Sequence, residues 1–70
     1  MTLAEAGLGK EYSVREINSD DEELVKFLFS LGCYSGERVT VLTRRRRNIV
    51  LEIRDARYSI DTDLAKNILV

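Results

Sequence analysis

Twelve residues in the first half of the chain, Asp20 to Leu31, space their apolar side chains for a helix, and most of the chain beyond them alternates with a period of two. Leu24, Phe27, Leu28 and Leu31 stand at i, i+3, i+4 and i+7, which is one helical face. A face of that kind has to be buried against another element, and the sequence offers only strands as partners. With 70 residues in all, there is chain for one core and no second one. The helix and the strands therefore share a single domain, expected to span residues 1–70.

Local signals set the boundaries. Asp20 or Asp21 caps the helix, and the acids of its first turn favour the positive end of the dipole. Gly32 stands where a left-handed residue closes a helix. Ahead of the helix, Thr2-Leu3-Ala4-Glu5 has the form of a capping box and predicts a lead-in of one turn at most. Lys10 to Asn18 reads as one strand. Tyr12 and Val14 alternate, and a bulge near Arg15-Glu16 would return Ile17 to the inner face. Arg38 to Arg44, Asn48 to Arg54 and Arg57 to Ile60 read as strands, the last two joined by a tight turn at Asp55-Ala56. Asp61 to Lys66 suits one capped helical turn, and Ile68-Leu69-Val70 a short closing strand. The expected fold is mainly β: a small, strongly curled antiparallel barrel with one α-helix inserted at about residues 20–31 and a short C-terminal helical turn.

Composition narrows the function classes. The chain contains no histidine and one cysteine, Cys33. The commonest general base and the commonest transition-metal ligand are both missing, and no structural zinc site or His-dependent nucleophile can be built. No internal disulfide is possible, and no leader of basic and apolar residues follows Met1, which points to the cytoplasm. No run approaches the roughly 20 apolar residues that span a bilayer, so no membrane insertion is expected. A non-enzymatic protein is the expectation. Charge is balanced overall at −1 but polarised: residues 1–37 carry −5 and residues 38–60 carry +5, the latter including Arg44-Arg45-Arg46-Arg47.

Several stretches together resemble the FeoA family, the ferrous iron transport protein A domains. Leu28-Phe29-Ser30-Leu31-Gly32-Cys33-Tyr34-Ser35-Gly36 is similar to that family's L-x-x-L-G-l-x-P-G signature. Leu3, Gly9, a V-x-x-I strand at Val14 and Ile17, a V-x-V strand at Val39 and Val41, and a closing A-x-x-I-x-V at Ala65, Ile68 and Val70 follow the family order. Ser35 replaces the family's proline, and the arginine run replaces its usual G-D-P-like turn. The resemblance implies an SH3-like barrel and a cytosolic accessory role in bacterial ferrous iron uptake. It implies as partner a FeoB-type membrane transporter with a cytoplasmic GTPase domain. It also implies Fe2+ as a family-level metal, since the same domain forms the C-terminal module of iron-dependent repressors.

Three features are candidates for function. Val25 and Phe29 lie roughly 100–140° from the centre of the apolar helical face and one turn apart. They would form an exposed apolar patch for a partner or for weak self-association. Arg44, Arg45, Arg46 and Arg47 would form an anion-binding hairpin, docking onto an acidic protein face or inner-leaflet lipid. Nucleic acid is not expected, because Tyr12, Tyr34 and Tyr58 are not interleaved with the run. Asp20-Asp21-Glu22-Glu23 is explained by helix capping, and no metal-ligand set can be assigned. Two other readings stay open: a metal-responsive domain related to the repressor module that binds Fe2+ weakly, and an anion-binding module built on Arg44–Arg47.

Overall fold

The computed structural model describes residues 1–70. A 3-10 turn at Leu3–Glu5 leads into strands β1 (Glu11–Ser13) and β2 (Glu16–Ile17). Helix α1 (Glu22–Leu31) comes after them, then strands β3 (Arg38–Arg44), β4 (Asn48–Ile53) and β5 (Ala56–Asp61), helix α2 (Thr62–Ala65) and β6 (Ile68–Leu69). The strands form two antiparallel sheets, one ordered β1-β3-β4-β5 and one pairing β2 with β6. A bridge between Thr2 and Leu69, and the Val70 N–H donating to the Met1 carbonyl at 3.0 Å, bring the two ends of the chain together.

The alternation in the second half places its residues as expected. Val39, Val41, Ile49, Leu51, Ile53 and Ile60 face inward and are buried. A bulge at Leu42, between the Val41–Leu51 and Thr43–Val50 pairs, bends β3 and helps the sheet curl.

Three details differ from the sequence expectation, each for a physical reason. Residues 10–18 are not one bulged strand. The chain passes from one sheet to the other at Val14-Arg15: β1 pairs with β3, whereas β2 pairs with β6. Val14 is buried at this corner, and its N–H donates to the Glu37 carbonyl at 2.8 Å. The lead-in turn is the single capped turn expected, with Glu5 accepting from the Thr2 N–H at 3.0 Å, and it also contributes Leu3 and Ala6 to the core. The β4–β5 turn sits one residue earlier, at Arg54-Asp55, with both residues at positive φ (53° and 66°), as a two-residue hairpin twisted to match its strands requires. Finally, Phe27 is 48% exposed. A short helix meets a curved barrel along a line, here Leu24, Leu28 and Leu31, and Phe27 stands at its margin.

The ends of α1 are built as expected. The Asp21 carboxylate accepts from the N–H groups of Glu23 (3.0 Å) and Leu24 (3.3 Å). At the other end Gly32, with φ 103°, donates to Phe29 O at 3.0 Å, and Cys33 N–H donates to Leu28 O at 3.1 Å. That is a Schellman closure, completed by burial of both Leu28 and Cys33 in the core.

Candidate functional site

The Schellman closure sets which side chains leave the core and meet on the surface. It turns the chain so that Cys33 points inward and Tyr34 outward. The Tyr34 ring meets the Phe29 ring, with centroids 5.2 Å apart and planes tilted by 34°. Both rings are substantially exposed, Phe29 by 40% and Tyr34 by 44%. The Tyr34 carbonyl accepts from Glu37 N–H at 3.0 Å, and Gly36 supplies the positive φ (91°) that this turn needs.

Arg54 reaches the same place from the β4–β5 turn. Its guanidinium stands 5.9 Å from the Tyr34 ring centroid, at the outer limit of a cation–π contact. It also donates to the Glu37 carboxylate, from Nε at 3.1 Å and from a second guanidinium nitrogen. That bond holds the Glu37 carboxyl below the usual carboxylate range and raises the Arg54 guanidinium above its own. A non-glycine residue at φ 53° carries backbone strain on the order of 1 kcal/mol, so the turn keeps Arg54 in place at a cost. Phe29, Leu31, Gly32, Tyr34, Arg54 and Tyr58 line a groove of about 200 Å³ between the end of α1 and the β4–β5 hairpin.

Of the sequence candidates, Phe29 lies in this groove, with Val25 beside it on α1 toward the helix N-terminus. Arg44–Arg47 are not part of the groove. They sit at the β3–β4 turn, the opposite end of β4, and six residues of strand put the two turns about 17 Å apart. The run itself is divided: Arg44 donates to the Ala6 carbonyl at 2.5 Å, while Arg45, Arg46 and Arg47 form the loop. Tyr34, Glu37 and Arg54 had no sequence signal as a group, because Arg54 comes from a turn 17 residues beyond Glu37.

The donors present do not make a resident metal centre. No three Asp, Glu or Cys side chains converge. The Asp21 carboxylate is occupied with capping. Burial pushes the Cys33 thiol up to about 11, so it is not a thiolate at neutral pH.

The FeoA domain family matches residues 1–70. A crystal structure of an iron uptake regulatory protein (FeoA) superposes with a TM-score of 0.89 at 25% identity, covering 97% of this chain and 91% of that one. Stenotrophomonas maltophilia FeoA, crystallised with zinc and described as a prokaryotic SH3 domain protein, gives 0.87 at 20% identity, covering 99% and 87%. A manganese-dependent transcriptional repressor contains the same fold, with a TM-score of 0.88 at 24% identity. The superposition covers 97% of this chain but only 39% of the repressor. A comparison with curated proteins gave no match. The fold expected from the sequence, an SH3-like barrel with one inserted helix, is the fold of this chain.

Proposed function

Because the chain belongs to the FeoA family, we propose that it is an accessory factor of ferrous iron uptake that works by docking, in the cytoplasm, to the GTPase domain of a FeoB-type transporter. The observation that carries this reading is the whole-length family match. The molecule also presents the kind of surface docking requires. Exposed Phe29 and Tyr34 rings form an apolar anchor, and the Arg54–Glu37 pair at their edge sets orientation. Val25 extends the anchor along α1. The proposed contact is therefore the groove side of the helix.

Binding has a functional effect only if the two nucleotide-linked states of the transporter bind this face unequally. A groove whose charged edge is fixed by a strained turn suits such discrimination, since a shift in the partner's surface would carry its own polar groups away from the fixed Arg54–Glu37 pair. No catalytic step is assigned to the chain, and iron enters this reading as the transporter's cargo.

An amide-resolved NMR titration with the transporter's GTPase domain tests the proposal. Saturable shifts centred on Phe29, Tyr34 and Arg54, abolished by Phe29→Ser, are expected. No shifts at that face, with localised broadening at Asp20–Glu23 when Fe2+ alone is added, would replace it with the metal-responsive reading.

A further inference from the structure

Ion pairs elsewhere on the surface make the arginine loop stand apart. Arg38 pairs with Glu11, Arg54 with Glu37, Arg57 with Glu52 and Lys66 with Asp63. None of Arg44, Arg45, Arg46 and Arg47 has a carboxylate within ion-pair distance. The neighbouring acids are otherwise engaged. Glu5 closes back on the Thr2 N–H (3.0 Å) and Asp61 caps α2 through the Asp63 N–H (3.0 Å).

The loop is fixed as well as unpaired. Arg45 N–H donates to Asn48 O at 2.8 Å, and Thr62 N–H donates to Arg47 O at 3.1 Å. Arg44 ties the preceding segment to it through the Ala6 carbonyl, and Gly9 N–H ties the same segment to β3 through Val41 O at 2.9 Å. Between those two tethers lies Leu8, at 54% the most exposed large apolar side chain of the molecule. None of the grooves of the surface includes Leu8 or any of the four arginines.

We propose that the Arg44–Arg47 loop, with Leu8 beside it, is a contact site for an anionic phospholipid surface. A convex hairpin tip has no pocket to enclose a small anion, but it can lay several guanidinium groups on a plane of phosphates. An apolar side chain at the margin of a cationic patch suits the boundary between headgroups and acyl chains. The neighbouring aromatic ring, Tyr12, is partly buried and packed against the core rather than presented as a platform on which a nucleic acid base could stack. This inference does not rest on the docking groove, which lies at the other end of β4.

Co-sedimentation of the full chain with vesicles tests it. Vesicles of mixed phosphatidylglycerol and phosphatidylcholine should bind the protein, and pure phosphatidylcholine vesicles should not. Raising salt from about 50 mM to about 300 mM should release it, because exposed charges are screened. Each basic side chain near an anionic surface contributes about fivefold, so Arg45→Ser/Arg46→Ser/Arg47→Ser should weaken binding roughly a hundredfold. Those side chains are exposed, so the variant's amide spectrum should otherwise match the parent. Leu8→Ser should weaken binding several-fold and leave the salt dependence unchanged. Equal binding to both vesicle types, no binding to the anionic ones, or an unaffected triple variant would each overturn the proposal. So would full competition by millimolar inorganic phosphate, which would mean a single-anion site. Shifts at Arg45–Arg47 on adding the GTPase domain without lipid would assign the loop to a protein face instead. Failure of the GTPase titration at Phe29 leaves the vesicle result standing.

Discussion

In the β3–β4–β5 meander, Val39, Val41, Ile49, Leu51, Ile53 and Ile60 are all buried, each on the concave side of a curled sheet. In α1 an equally apolar sequence buries only Leu28 completely, with Leu24 and Leu31 partly covered and Phe27 and Phe29 each about half exposed. Curvature explains the contrast. An inward residue on a curled strand meets neighbours along the strand, across the ladder and from the far wall, whereas a straight helix on a convex barrel has covered side chains along one line. The meander holds the fold, and the helix is anchored by a few side chains with its apolar shoulders free.

The largest test of that division is Leu51→Ala. It should cost about 2–5 kcal/mol, as truncations of fully buried leucines do, which is a large share of the stability of a 70-residue domain. Chemical denaturation would show it. A midpoint close to the parent's would mean that the meander is looser than its burial implies.

Next in size is the seam between the two regions, where Cys33 is buried beneath the helix closure. Its thiol is raised from 9.0 to about 11 in the fold. The unfolded chain therefore loses that proton first as pH rises. Stability is fully present below about pH 9 and should fall by on the order of 2 kcal/mol toward pH 11. Cys33→Ala should remove this cysteine-dependent part of the slope in pH-resolved denaturation. Gly32→Ala, at the same seam, should cost about 1–2 kcal/mol. The backbone there has φ 103°, and an added Cβ would stand 3.1 Å from Ile53 Cγ2. A drop in thermal midpoint reports it, and an unchanged midpoint would mean that the helix end gives way without disturbing the meander.

The smallest effect should come from the free shoulder. Phe27→Ser and Phe29→Ser should each cost no more than about 1 kcal/mol, Phe29→Ser the more of the two because it also loses the Tyr34 ring contact. Only Phe29→Ser should alter docking. A cost of several kcal/mol from either would erase the distinction between anchored and free helix faces.

The sequence made the elements with repeating signals legible. The Asp21 cap, the Gly32 closure, the limits of β3 and the inward set Ile49, Leu51 and Ile53 all arise from spacing or from a single residue's backbone preference. Features without a repeat were not legible. A three-residue 3-10 turn has no periodicity, so only Leu3's place in the family pattern pointed to the core, and nothing in Ala6 did. The corner at Val14-Arg15 resembles a bulge in sequence, because either device returns Ile17 to the interior. It is distinguished only by which strands pair with each side. At the candidate site, Phe29 was visible as an off-face aromatic. Tyr34, Glu37 and Arg54 meet only because Gly32 and the Arg54-Asp55 turn redirect separate segments toward one another.

The bridge between Thr2 and Leu69 also governs the order in which the molecule can form. The β3–β4 and β4–β5 hairpins pair residues close in sequence and can form early in folding. The second sheet must wait for Ile68 and Leu69, which pair with residues made more than fifty positions earlier. Until then Leu3, Ile17 and the inward side of β2 have no lid. Closing so long a loop is entropically demanding and should make the last step of folding slow relative to hairpin formation. A chain in which Ile68 and Leu69 cannot pair with β2 would stay open over Leu3 and Ile17, so this two-residue strand guards the molecule against aggregation.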